Sequence, residues 1–177
     1  MNNISLNGVP EDFASAVALA NKNDDRVRKE FEKWMVLTYS NNKAIINQKK
    51  GGDGGIDGIA YMIVGYEANK PITKQILFSV KSNQNLSPAV IRELYGTIER
   101  DNAAMGVLLT LYPMPNLVKE AKKYGTFQNE MFSHVYSKIE VISVQEILDG
   151  TIINIPTSIE VLKDAELKKN NNQQKLF

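Results

Sequence analysis

Apolar residues recur at helical spacing in the first third of the chain and at a spacing of two in the second. Pro10, Glu11 and Asp12 precede Phe13, Ala14, Ala16, Val17, Leu19 and Ala20, which predicts a short helix with a proline and acids in its first turn. From Asp24 or Asp25 to about Tyr39, Val27, Phe31, Trp34, Met35 and Thr38 share one face of a longer helix. Ser40-Asn41-Asn42 ends it, and Lys43 to Asn47 reads as a first short strand. Asp57 to Gly65 and Gln75 to Lys81 read as two strands of an antiparallel hairpin, joined by a polar connection from Tyr66 to Lys74 that contains Pro71.

The second half alternates helix and strand. Ser87-Pro88 opens a helix that runs to about Asp101, with Val90, Ile91, Leu94, Tyr95 and Ile98 on its buried side. Met105 to Leu111 is apolar throughout, the pattern of a strand covered on both faces. A helix from Pro115 to Tyr124 ends at Gly125, and Ile139 to Ile142 forms a last strand before a small turn or helix at Val144 to Leu148. Strands followed by helix, buried strand and helix predict an α/β domain with a mixed central sheet flanked by helices. The expected organisation is a helical docking or linker element over 1–24, one domain over 25–155 and a polar, disordered tail over 156–177.

Composition narrows the functions. With 177 residues and 43% hydrophobic residues the chain suits one cored domain. It has no cysteine, which excludes disulfides, thiolate metal sites and cysteine nucleophiles. No apolar run approaches the roughly 20 residues of a membrane span, and the polar start Met1-Asn2-Asn3 does not read as a secretory signal, so a cytoplasmic protein without membrane contact is expected. A net charge of +1 gives no global pull toward nucleic acid, so DNA binding has to come from a local patch.

The chemistry concentrates between Gly51 and Lys81. Gly51-Gly52-Asp53-Gly54-Gly55-Ile56-Asp57-Gly58 leads into one strand, and Phe78-Ser79-Val80-Lys81 ends the next. Neighbouring strands lie about 4.8 Å apart, so a carboxylate at the mouth of one and a lysine at the end of the other can sit side by side. The period of two puts Ser79 and Lys81 on one face and Ile76, Phe78 and Val80 on the other. Asp53 reads as a turn former. The turn is not a phosphate-binding loop, because no Gly-Lys-Ser/Thr follows at the required spacing. His134, the only histidine, has no motif around it and reads as a surface or loop residue.

Over about Asp25 to Ile142 the chain resembles the PD-(D/E)xK nuclease superfamily, and within it the Mrr-type restriction endonucleases. The residues that carry the resemblance are Phe31-Glu32, Gly51 to Gly58, and Val80-Lys81. A closer resemblance is to the nuclease-like C-terminal segment of certain bacterial and phage DNA methyltransferases, carried by Arg28 to Trp34, Lys49-Lys50-Gly51, Gly55 to Gly58 and Glu99-Arg100. The resemblance implies a restriction-endonuclease-like fold and a restriction-type DNA endonuclease dependent on Mg²⁺ or Mn²⁺. It implies a metal held by Asp57, Glu32 and the Val80 carbonyl, and Lys81 assisting the attacking water. Helical spacing alone leaves Glu30 and Glu32 equivalent, since each flanks the apolar face by about 100°. Glu32 could also serve only as the i, i+4 partner of Arg28.

The pattern has one departure. Two positions before the lysine, where the superfamily carries an acid and Mrr-type members a glutamine, this chain has Ser79. A serine hydroxyl can hold a water but is a poor direct Mg²⁺ ligand. That leaves open an alternative reading, a weak or inactive nuclease-fold module that binds DNA and targets or regulates a methyltransferase. Lys49, Lys50, Ser82, Asn83, Gln84, Arg92 and Arg100 are the candidate DNA contacts. The terminal Gln173-Gln174-Lys175-Leu176-Phe177 resembles the peptide by which bacterial DNA enzymes bind the replication sliding clamp, through Gln173, Leu176 and Phe177. The expected partners are double-stranded DNA, a methyltransferase domain or subunit, the sliding clamp and a second copy of the chain.

Overall fold

The computed structural model describes residues 9–48 and 54–156. Lys49, Lys50, Asp53, the glycines at 51 and 52, and the tail bearing Gln173, Leu176 and Phe177 lie outside the described residues.

The element order follows the pattern of apolar positions. Helix α1 spans Phe13–Ala20 and α2 spans Asp25–Tyr39. Asp24 caps α2 as expected, accepting from the Arg26 N–H at 2.9 Å, while Asp12, expected within the first turn of α1, instead precedes it as its cap and accepts from the Ser15 N–H at 2.7 Å. Strand β1 (Ile45–Ile46) is followed by β2 (Gly58–Glu67) and β3 (Lys70–Lys81), then by α3 (Ala89–Arg100), β4 (Met105–Thr110) and α4 (Pro115–Ala121). Short strands β5 (Thr126–Asn129) and β6 (His134–Ser137) precede β7 (Ile139–Ser143) and α5 (Val144–Leu148).

The main sheet has the order β1-β2-β3-β4-β7. β1, β2 and β3 pair antiparallel, whereas β3-β4 and β4-β7 pair parallel. This is the mixed sheet flanked by helices that the sequence predicts. Period-two alternation along β3 divides the interior into two cores. Ile76, Phe78 and Val80 face a core shared with Phe31, Met35 and Val36 of α2 and with α1 and α5, while Leu77 faces a second core with Ile91, Leu94 and Ile98 of α3 and Leu117 of α4. The first helix is docked in the larger core through Ala16, Leu19 and Ala20, and Phe13 meets the Tyr112 ring edge-on at 5.9 Å. β4 is buried at every position.

Two features depart from the pattern-based expectation. The hairpin strands run on through the segment expected as a loop and close at Ala68-Asn69, whose φ angles of 47° and 64° make the type I′ turn that matches strand twist. Pro71 is tolerated because it stands opposite Tyr66, one step beyond the turn-flanking pair Glu67 and Lys70, where the antiparallel ladder requires no N–H. Its other side is open as well, since β4 joins β3 only from Ile76 onward.

The second departure is the β5–β6 hairpin, which the sequence does not announce. It is anchored where the β2–β3 register shifts between Ile63 and Gly65. There the Ile63 carbonyl accepts from Asn129 Nδ2 at 2.8 Å and the Ile63 N–H donates to the Pro156 carbonyl at 2.9 Å. His134 is exposed on β6, with its ring centroid 4.6 Å from that of Tyr136.

Candidate active site

The β2–β3 ladder stops at the pair Gly58 and Phe78, and the site is built from what comes just beyond it. Asp57 is fixed on both sides by its backbone: its N–H donates to the Phe78 carbonyl at 2.7 Å, and its carbonyl accepts from the Asn47 N–H at 2.9 Å. Its side chain then takes over the ladder, with Oδ2 accepting from the Val80 N–H at 2.7 Å. In a strand the N–H and C=O of one residue point to the same edge, so the Val80 carbonyl is directed toward the Asp57 side of β3.

Ser79 and Lys81 share the opposite face of β3 from Val80, as alternation predicts. Ser79, only 5% exposed, donates its hydroxyl to the Gly55 carbonyl at 3.0 Å. Lys81 reaches over the same turn, its Nζ 3.8 Å from where a Cβ on Gly55 would lie. The turn needs glycine: Gly54 and Gly55 have φ of 64° and 74°, and a Cβ on Gly54 would stand 2.8 Å from Thr97 Oγ1. Asn47 completes the support, its Nδ2 donating to the Ile56 carbonyl at 3.0 Å.

Glu32 approaches from α2. It is half-buried, whereas Glu30 is exposed and lies 3.8 Å from Lys33. Burial raises the Glu32 carboxyl above its ordinary range, and the negative charge of Asp57 raises it further, against the pull of Arg28, Lys29 and Lys81. Asp57 is also raised, chiefly by burial, while the Val80 N–H and the Lys81 ammonium oppose the shift. The Asp57 charge thus disfavours ionisation of Glu32, and the Lys81 ammonium acts on both carboxyls. Among the described residues no three His, Cys, Asp or Glu side chains form a metal-holding cluster. A site here would rest on two carboxylates, a main-chain carbonyl and water. That hard-oxygen set suits Mg²⁺, which keeps several waters.

The remaining expected residues fall into two groups. Ser82, Asn83 and Gln84 follow Lys81 directly, Asn83 and Gln84 being exposed. Arg100 ends α3 beside the glycine turn, 3.8 Å from the Cβ position of Gly54, and chelates Asp101 through Nε at 2.7 Å and Nη2 at 3.1 Å. Arg92 is exposed on α3. Asn47 and Thr97, which shape the turn, and Lys29, which acts electrostatically on Glu32, were not singled out by the sequence. Lys29 had a readable signal, standing three residues before Glu32 and so on the same helix face. Arg28 pairs with Asp25 rather than with Glu32, and donates to the Lys22 carbonyl at 2.6 Å.

No helix among the described residues is long and apolar enough to cross a membrane. No curated protein and no solved structure matches the chain. Residues 27–149 do match a family, Mrr_cat, described as restriction endonuclease. The matched span runs from the first turn of α2 to the end of α5 and takes in the whole five-stranded sheet with Glu32, Asp57, Ser79 and Lys81. On that match the chain belongs to the Mrr_cat restriction endonuclease family, and its α/β core is a restriction-type nuclease domain.

Proposed function

We propose that the domain is a DNA endonuclease dependent on Mg²⁺ or Mn²⁺, with Asp57, Glu32 and the Val80 carbonyl holding the ion and Lys81 acting on the phosphate. The observation that carries this reading is the pair of raised carboxylates, Glu32 and Asp57, beside the Lys81 ammonium at the end of the hairpin ladder. Burying two acids together is costly, and a divalent cation relieves that cost. When bound, such an ion polarises a phosphoryl oxygen and lowers the pKa of an attacking water.

The protein's own part is positioning. The Val80 N–H holds one Asp57 oxygen, which fixes the plane of the carboxylate. Lys81 brings a positive charge to the place where negative charge grows on phosphorus-bound oxygen as water attacks and the bond to one sugar oxygen breaks. On this reading Ser79, tied to the Gly55 carbonyl, stiffens the turn that faces Lys81 and takes no part as a ligand. Phosphate contacts from Lys49, Lys50, Arg92 and Arg100 would give the salt-dependent part of DNA binding, with Ser82, Asn83 and Gln84 adding uncharged contacts to the DNA.

Ser79 favours a second reading, because a neutral hydroxyl already committed to a carbonyl stands where the superfamily has an acid. On that reading the domain binds DNA without cutting it and targets or regulates a methyltransferase. Supercoiled plasmid incubated with Mg²⁺ or Mn²⁺ separates the two. The endonuclease reading expects nicked and linear products from the wild type and none from Lys81→Ala. Intact plasmid with retained DNA binding by the wild type would leave only the second.

A further inference from the structure

A second concave surface opens at the same end of the sheet as Lys81. The chain leaves β3 at Lys81 and β4 at Thr110, and these two parallel strands are joined at their ends by the Leu111 N–H donating to the Lys81 carbonyl at 3.2 Å. The loop after β3, the loop after β4 and the first turn of α4 line a cleft of about 480 Å³. In sheets of parallel strands, ligands bind outside the carboxyl ends of the strands. The volume falls in the range of small-ligand sites, roughly 300–1,000 Å³.

The lining is specific in what it omits. Among the described residues no charged side chain borders the cleft; amides come from Gln84, Asn85 and Asn116, and apolar surface from Leu86, Met114 and Leu117. A phosphate or carboxylate would find no counter-charge there. A flat, neutral group with donors and acceptors on its rim would find both an apolar bed and amides, the side chains that pair bidentately with base edges. Gln84 lies three residues after Lys81, at most about 11 Å along an extended chain, so the ligand would adjoin a phosphate held at Lys81.

We propose that this cleft receives a single nucleobase of the DNA substrate, unstacked from the duplex, with Gln84, Asn85 and Asn116 reading its edge. The proposal rests on the endonuclease reading, since it takes the substrate of the neighbouring Lys81 site as the source of the base. A concave cleft cannot read a base that remains stacked; the nucleotide has to turn out, at an unpairing cost that is least at a mismatch.

The test is binding of the full chain, without divalent ion, to three labelled duplexes of one sequence: fully paired, with one central mismatch, and with one abasic site. The wild type should bind the mismatched duplex roughly tenfold or more tightly than the paired one, because its base is already loosened. The abasic duplex, which offers no base, should lose that gain. Asn116→Trp, filling the cleft, and Asn85→Ala, on an exposed loop, should both abolish the preference while leaving the salt dependence of binding to paired DNA unchanged. A wild type that binds all three duplexes alike, or variants that keep the mismatch preference, would overturn the inference. Plasmid cleavage by the same wild-type sample separates the two levels. Cleavage without a mismatch preference sinks the base cleft alone, and absence of both cleavage and DNA binding sinks it together with the endonuclease reading.

Discussion

The two ends of the β2–β3 hairpin are built from the same strands and do opposite things. At the closed end the ladder runs to the Ala68-Asn69 turn, where the acid Glu67 is exposed and stands opposite Lys70, and Tyr66 and Ile72 are exposed as well. At the open end the ladder stops at Gly58, and the next N–H, that of Val80, goes to a carboxylate. The closed end is satisfied by pairing alone. The open end leaves Asp57 and Glu32 partly buried with their charges disfavoured, which is a cost in stability and a capacity for binding. Chemistry enters this fold where strand pairing runs out but burial does not.

Removing the charges at the open end should have the largest effect. Asp57→Asn and Lys81→Ala should each lower plasmid cleavage by roughly 10²–10³-fold, the scale seen when one preorganised electrostatic group is lost. Matching far-ultraviolet circular dichroism and melting curves would show that the folds are intact. A variant of either kind that cuts like the wild type removes the open end from the chemistry.

Next comes packing. Gly58, at the open end, has no room for a side chain: an added Cβ would stand 2.7 Å from Val36 Cγ1 and 3.4 Å from the Ile45 carbonyl oxygen. Gly65, toward the closed end, has its nearest neighbour at 3.7 Å. Gly58→Ala should therefore cost about 1–3 kcal/mol, and Gly65→Ala should be near neutral or stabilise by a few tenths, as measured by urea denaturation. Equal effects would mean that the two ends are not packed as described.

Much of this was legible in the sequence. Period-two alternation put Ser79 and Lys81 together and Val80 apart from them, and Asp24 marked the start of α2 as its cap. Helical spacing could not choose between Glu30 and Glu32, because each flanks the buried face by one position; the packing of α2 over the end of the hairpin makes the difference. Pro71 obscured the length of the hairpin, since a proline inside a strand is acceptable only in an unpaired register that the sequence does not state. β5 and β6 were hidden for another reason: four-residue strands with mostly exposed side chains carry no periodic signal, and they are held by Asn129 reaching Ile63, 66 positions earlier. Asn47 acts through backbone contacts that no pattern of side chains reveals.

Smaller effects are expected from the charges of Glu32 and Asp57 themselves. A carboxyl raised on folding binds more protons in the folded than in the unfolded chain between its ordinary and raised pKa values. Stability due to Glu32 and Asp57 should therefore fall as pH rises through that window and stay lower above it. Glu32→Gln removes one such charge, so without divalent ion it should melt above the wild type at pH 7 and match it more closely in acid. Added Mn²⁺ should raise the wild-type Tm and leave the variant's nearly unmoved, since only binding to the folded state stabilises. Ser79→Ala, which deletes the bond to the Gly55 carbonyl, should cost about 0.5–1.5 kcal/mol.

Calorimetric titration of Mn²⁺ into the metal-free protein, wild type against Asp57→Asn, tests the central claim most directly. The open end of the hairpin predicts one saturable site per chain in the wild type and its loss in Asp57→Asn, with the variant still folded. Undiminished binding by Asp57→Asn, or no binding by a wild type that cleaves DNA, would contradict it.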